Sequence, residues 1–463
     1  MSSIKAPQLV QQPVSVTRKM SASLPQLRAT AQRKGLKMHH LGAGYPHPEV
    51  TDPRGFLAHE QRYYQHLAAA EGLNDPEQLP EYLRESFSYT DTLGPVSTRR
   101  TFAGVYGHDL GLEIDPDQLL PTVGATGGIS LSLSVFERAG VPLAFITDAP
   151  TYAGFVARAS LTQSSAIYSV PMDDEGPDPQ ALAAQIDAAR AAGYFVPFYY
   201  TVPDGHNPAG FSFSAARRRA IVEVVQAAGI LILEDAPYFY INYAPAAERP
   251  PAFVSLAPQS TVHLFTGSKI GFPGPRVGFL YSDATVSIRD AESVPFTTLA
   301  LTEAAGDILF HNPAALHGFD ALLHDEHFAP RQTLWDVAEQ KLAVYRENRQ
   351  IMLEGLEQGL GAYPERFRWT HPAAGFFVVF SVLDGSLRTD EDFVSRLVSD
   401  YGVVAIPMYD FYPEDARSRD PNAGLNELRL SFCFNESQGE GRRRDLAEGV
   451  AAFCAAILKE AGS

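Results

Sequence analysis

The sequence predicts an α/β protein: a large domain built on a mainly parallel sheet flanked by helices, followed by a smaller α+β C-terminal domain. Three observations carry this. Between about 120 and 282, short apolar runs alternate with helix-patterned stretches, the order expected of parallel strands covered on both faces. One such unit is fully written out: "VPFYYT" (196–201), a loop, a helix from Ser214 to about Ala228, then "ILILE" (230–234). Beyond about Leu334 the texture changes to a long charged helix, short apolar segments and a terminal helix. At 463 residues the chain also exceeds what one small core organises.

Taken in chain order, the first segment is basic. Lysines and arginines at 5, 18, 19, 28, 33, 34 and 37 precede the first acid, Glu49. An organelle presequence has this bias; so does an arm lying over the body or a partner subunit. The arm is preferred, because "SASLPQLRATAQRKGL" reads as a short helix capped by Ser23 and stopped by Gly35. "LLPTV" then leads into "GATGGIS", which opens a helix near 124. Further strands are "LAFIT" (143–147), "VHLF" (262–265) and "VGFLY" (277–281). In the helix after Ser214, Ile221, Val224, Val225 and Ala228 share one apolar face; Ser214 caps it and Gly229 ends it. Residues 311–330 read as an insertion whose histidines have no metal-ligand spacing, and no metal is assigned. A long helix over about 334–360 introduces "GFFVVFSVL", "YGVVAIPM" and "ELRLSFCF". The expected division is an arm (1–48), a large domain (49–333) and a small domain (334–463).

A net charge of −17 argues against a nucleic-acid partner, whose affinity rests on basic patches. No apolar stretch approaches the roughly 20 residues of a membrane helix. Cys433 and Cys454 sit in separate apolar runs, which suits neither a disulfide framework nor a zinc site. A cytoplasmic protein is expected.

In open parallel sheets, ligands sit beyond the carboxyl ends of the strands. There the sequence places "DAPTYAGF", "VPDGHNPAG", "DAPYFY" and "TGSK", with "GATGG" at a helix mouth. The glycine-rich turn fits no nucleotide fingerprint, but its backbone N–H groups suit an anion. Lys269 follows an apolar strand, where an amine is either solvated or held for covalent work on a carbonyl. Asp235 closes another strand, where a carboxylate needs a partner. Arg429 alternates with leucines, so its planar fork points away from the apolar face.

In this order and spacing the motifs resemble the fold-type I pyridoxal-phosphate enzymes of the aminotransferase class I/II family, from about Leu41 to the C-terminus. The resemblance implies that Lys269 forms the Schiff base with pyridoxal phosphate, and that Asp235 pairs with the pyridine nitrogen. It implies that Tyr238 and Asn207 contact the cofactor's phenolic oxygen and Tyr152 stacks on its ring. Ala125, Thr126, Thr266, Ser268 and Arg276 would hold the phosphate, with Thr266 where serine is common. Tyr89, in "YTDTLG", matches a tyrosine given to the neighbouring subunit's phosphate, which implies a homodimer. Arg429 matches the arginine for the substrate α-carboxylate. Gly44 and Tyr45, in "LGAGYP", lie where the family's N-terminal segment passes over the substrate.

The implied reaction is transamination between an amino acid and a 2-oxo acid. The same residues serve β/γ-elimination, replacement or cyclisation, for example on S-adenosylmethionine or an arginine-like amino acid. His206, where relatives often carry glutamine, and the 311–330 stretch leave that alternative open. A regulator with an aminotransferase-like domain is disfavoured, since only about 40 residues precede "LGAGYP". No second arginine is evident in the sequence for a dicarboxylate substrate.

Overall fold

Residues 16–73, 78–289 and 291–462 are described by the computed structural model, whose first element is helix α1 (Val16–Arg33). Positions 1–15 of the expected arm, Lys5 among them, lie outside the described residues. The expected start at Ser23 is overturned. Ser23 lies inside the helix, and its Oγ donates to the carbonyls of Lys19 and Met20 at 3.3 and 3.1 Å; a serine bonded back to its own helix caps nothing. The stop at Gly35 stands: its φ is +72°, and Leu36 N–H closes onto Ala31 O at 3.1 Å. The arm lies on its own chain. Lys19 pairs with Asp410 and Glu391, and His39–His40 run parallel to Val403–Val404.

The larger sheet comprises β1 (Leu119–Val123), β2 (Leu143–Ala149), β3 (Ser165–Asp173), β4 (Gly176–Pro177), β5 (Phe198–Thr201), β6 (Leu231–Asp235), β7 (Thr261–Thr266) and β8 (Val277–Tyr281), in the order β1-β8-β7-β6-β5-β2-β3-β4. Its centre is parallel (β7, β6, β5, β2, β3), while β1, β8 and β4 pair antiparallel. Both faces are covered, as the apolar strands require. Phe145, Phe198, Tyr200 and Leu233 enter one core, and their neighbours Ile146, Tyr199 and Ile232 enter another. Helix α2 (Gly124–Glu137) leaves β1 directly. Helix α3 (Ala215–Ala228) begins where Ser214 Oγ accepts the Arg217 N–H and ends at Gly229, φ +63°.

The stretch read as an insertion belongs to the core. Helix α4 (Pro313–Leu322) is capped by Asn312 and buries Leu316 and Phe319 against the larger sheet's aromatic cluster. Its histidines have local partners: His317 meets Glu85 at 3.1 Å, and His324 stacks on Tyr63.

Helix α5 (Trp335–Leu360) leads into the second sheet: β9 (Phe367–Trp369), β10 (Phe377–Val382), β11 (Ile406–Pro407) and β12 (Glu427–Ser431), ordered β9-β10-β12-β11 and antiparallel throughout. Helix α6 (Gly439–Glu460) packs on α5 through Met352, Leu356, Val450 and Phe453. Among the described residues no helix is long and apolar enough to cross a membrane.

Candidate active site

Parallel strands aligned in one sheet deliver their following loops to one edge. Here β2, β5, β6 and β7 deliver Tyr152, Asn207, Asp235 and the Thr266–Lys269 turn, while β12 brings Arg429 from the second sheet. A cavity of about 720 Å³ lies where they meet. Every residue predicted for the site lines it except Tyr89. Tyr89 is 86 % exposed and stands edge-on to Phe310.

Lys269 Nζ donates to Gly44 O at 3.0 Å and lies 5.8 and 5.6 Å from the ring centres of Tyr238 and Phe376. Desolvation is the main reason its pKa falls below the ordinary lysine value, and Arg276 and Arg429 push the same way. Cys433 and Asp235 act in the opposite direction. The Cys433 thiol is itself pushed up to about 11 by burial, so near neutral pH it carries no charge to hold the ammonium. A weakly solvated amine among cations is what a nucleophilic lysine requires.

Asp235 is 3 % exposed. Its Oδ2 accepts the Tyr200 hydroxyl at 2.9 Å, and its Oδ1 is buried with no partner among the described residues. Burial raises its pKa to about 7, against the Tyr200 hydrogen bond, His263 and Lys269. Tyr200 is fixed by stacking on Phe155, centroids 3.9 Å apart.

A polar cradle forms beside Lys269. Arg276 Nη1 donates to Ser268 Oγ at 3.1 Å and Nη2 to Val123 O at 3.3 Å. Thr266 Oγ1 donates to Ser268 Oγ at 3.0 Å. Helix α2 opens here at Gly124, φ +64°, where an added Cβ would lie 2.6 Å from Arg276 Nη2. The Tyr152 hydroxyl reaches Thr126, and burial raises its pKa.

Arg429, 2 % exposed, donates through Nη1 to Asn207 Oδ1 at 2.7 Å and through Nη2 to Gly42 O at 3.1 Å, over the Phe377 ring at 4.1 Å. Burial lowers its pKa to about 10, so it stays cationic near neutral pH. The strap 41–45 is held by site residues: besides the bonds to Gly42 and Gly44, Cys433 Sγ donates to Ala43 O and Tyr45 O at 3.3 and 3.0 Å.

Some of this could not be anticipated. His206 is fully buried and outside the cavity lining: its Nδ1 accepts the Ala209 N–H at 3.2 Å, and its Nε2 meets Asp148 Oδ2 at 3.2 Å. It braces the Asn207 loop from behind. Tyr200, in the run "FYYT", carried no signal beyond strand alternation. Arg28 of α1 lines the cavity with His40 and Glu436, a second arginine not evident in the sequence, because an arm residue far along the chain gives no spacing cue.

Comparison with known proteins shows the family. Residues 69–433 match the family "Aminotransferase class I and II". The chain is 28 % identical over 408 residues to (S)-3,5-dihydroxyphenylglycine transaminase of Amycolatopsis orientalis, covering 85 % of this chain and 83 % of that one. It is 27 % identical to 2-aminoadipate transaminase of Thermus thermophilus, covering 83 % and 88 %. In fold it is similar to the crystal structure of Pyrococcus horikoshii kynurenine aminotransferase, with a TM-score of 0.75 at 20 % identity, covering 98 % and 97 %. The chain belongs to the aminotransferase class I and II family and is an aminotransferase.

Proposed function

We propose that the enzyme uses pyridoxal phosphate held in this cavity, with Lys269 as its covalent anchor and Arg429 as the α-carboxylate site, and that it transaminates an amino acid with a 2-oxo acid. The observation that carries the reading is Asp235 Oδ1, a buried carboxylate oxygen without a donor among the described residues, on the wall that Lys269 also lines. A protonated ring nitrogen is the donor that such an atom lacks. The cradle of Gly124, Ala125, Thr126, Thr266, Ser268 and Arg276 suits a phosphate, with N–H groups at a helix start, hydroxyls and a guanidinium fork. Tyr152, Asn207 and Tyr238 supply the remaining aromatic and polar contacts.

When bound, the cofactor supplies an aldehyde carbon for amines and a ring that accepts charge from a deprotonated Cα. The protein's part is proton handling and orientation. Asp235, kept in a desolvated setting, retains its charge only against a cation and so favours a protonated ring nitrogen. Arg429 fixes the substrate carboxylate through a planar fork, which orients the Cα–H bond. Lys269 Nζ, freed once a substrate amine takes its place, would accept the Cα proton as a general base and give it up again as a general acid. Phe377 and the strap 42–45 wall the cavity beside Arg429 and limit access of water.

A homodimer is part of the reading. Phe87, Tyr89, Val96 and Leu309 are large, exposed apolar side chains, and Tyr89 would complete the partner's phosphate site. Two buried thiols, Cys433 and Cys454, suit a reducing cytoplasm.

The test is a single-turnover reaction. The protein loaded with pyridoxal phosphate should show the absorbance of a lysine-linked aldehyde, and a reactive amino acid without oxo acid should discharge it stoichiometrically. Lys269→Ala should lose the covalent band. Catalytic release of ammonia, a thioether or a cyclised product with the band retained would replace transamination by elimination or cyclisation.

A further inference from the structure

Arg276 reaches the polar cradle from an unfavourable backbone. Its φ is +61°, in the left-handed region where a Cβ crowds the following carbonyl. From there Nη1 donates to Ser268 Oγ at 3.1 Å and Nη2 to Val123 O at 3.3 Å. A conformation of this kind persists only where its surroundings fix it, and a contact to the Arg276 carbonyl does so. We infer that His311 is a positioning residue for the cofactor phosphate: its ring holds the Arg276 carbonyl and so keeps the guanidinium in the cradle. This rests on the reading of that cradle as the phosphate site.

His311 Nε2 lies 3.1 Å from Arg276 O. A carbonyl only accepts, so Nε2 donates. The ring is itself a fixed point. His311 is 4 % exposed, and its Nδ1 faces Asn312 O at 3.3 Å. It immediately precedes Asn312, which caps α4, and Leu316 and Phe319 of that helix are locked into the larger sheet's core. On the other side of Arg276 the chain is anchored as well, because Val277 O accepts the Gly267 N–H at 3.0 Å. The arginine is thus pinned between the Lys269 turn and α4. His311 does not line the cavity, so it acts on the cofactor through Arg276 and not by contact. Without the Nε2 bond the peptide after Arg276 can rotate, which relieves the left-handed φ and carries the planar fork away from Ser268. A misplaced fork loses its paired donors to a phosphate and leaves the aldehyde end, at Lys269, untouched.

The test compares pyridoxal phosphate with pyridoxal, which shares its ring and aldehyde and lacks the phosphate, by equilibrium dialysis against the full chain. His311→Phe keeps a flat ring and removes the donor. It should weaken pyridoxal phosphate at least tenfold and leave pyridoxal within twofold, a split that general loosening of the fold does not produce. His311→Gln, whose amide can donate from near the Nε2 position, should recover pyridoxal phosphate affinity to within threefold of the unaltered enzyme. If His311→Phe does not fold, His311→Asn, too short to reach Arg276 O, should show the same split. Because His311 acts through Arg276, His311→Phe should cost less than threefold in an Arg276→Gln background. Equal weakening of the two compounds, unchanged pyridoxal phosphate affinity, no recovery in His311→Gln, or full additivity with Arg276→Gln would each overturn the assignment. If Arg276→Gln alone weakens pyridoxal phosphate selectively and His311→Phe does not, only the His311 assignment falls. If Arg276→Gln weakens both compounds equally or neither, the phosphate reading of the cradle falls with it.

Discussion

Arg429 and Asn207 are joined across the two sheets: the guanidinium on β12 donates to the Asn207 side-chain oxygen, in the loop after β5, at 2.7 Å. One hydrogen bond thus couples the proposed carboxylate site to a proposed cofactor contact. The surrounding chains are pressed together: a Cβ on Gly205, φ +50°, would lie 2.4 Å from Gly375 N.

Replacing Arg429 by lysine keeps the charge and removes the fork. Loss of one charge-assisted hydrogen bond costs about 1.5–3 kcal/mol, so kcat/KM for amino acids should fall roughly 10- to 100-fold. The absorbance of bound cofactor should persist. If the band vanished while KM held, Arg429 would be serving the cofactor instead of the substrate.

His206 should matter for stability and for the placement of Asn207. Among the described residues it gives Asp148 one of three donors, the others being Thr201 Oγ1 at 2.7 Å and the Tyr199 hydroxyl. His206→Ala removes one of the two donors to the buried Asp148 Oδ2, leaving Thr201 Oγ1, and should cost about 1.5–3 kcal/mol in denaturant unfolding. His206→Gln, which can still donate to Asp148, should cost less than half of that and retain cofactor binding. Equal losses in the two variants would mean that ring packing on Phe211 and Phe213, not the hydrogen bond, holds the loop.

Most of the cavity lining was legible because strand ends are legible. Apolar runs ending at Asp235 and Phe265 fix where Asp235 and Lys269 must emerge, and a parallel sheet brings those ends to one edge. Helix α3 was legible for the same local reasons, its Ser214 cap and Gly229 stop. Ser23 misled because a capping residue type also tolerates helix interiors by bonding back to Lys19 and Met20. Residues 311–330 misled because burial of Leu316 and Phe319 is set by long-range packing that periodicity over one short helix does not reveal. Arg28 and Glu436 meet across most of the chain's length, and nothing local encodes that meeting.

Gly124 is needed for space as well as for conformation. Its φ of +64° disfavours any side chain, and a Cβ would reach 2.6 Å from Arg276 Nη2. The guanidinium is the movable partner, so Gly124→Ala should displace it from the cradle. The expected outcome is a stability loss of about 1–3 kcal/mol from backbone strain and at least a tenfold rise in the dissociation constant for pyridoxal phosphate, read by equilibrium dialysis. Unchanged cofactor affinity would remove Gly124 and Arg276 from the proposed phosphate site.

Asp235 predicts the direction of a pH effect on the protein before cofactor is added. Its pKa rises from 3.8 to about 7, chiefly through burial. Below about pH 4 the carboxyl is protonated folded or unfolded, and contributes nothing to the difference. Between about 4 and 7 the folded chain keeps a proton that the unfolded chain has released, so stability falls as pH rises, and the full penalty is present above about 7. Asp235→Asn has no such proton. Comparing the two cofactor-free proteins by denaturant unfolding, the advantage of Asp235→Asn should grow by about 3 kcal/mol from pH 5 to pH 8. Adding pyridoxal phosphate should reverse the ranking near neutral pH, because the protonated ring nitrogen gives Asp235 Oδ1 its missing donor and the asparagine cannot return the charge. Parallel stability curves for the two proteins across this range would show that Asp235 is ionised at no cost, and the case for a cation-seeking carboxylate would end there.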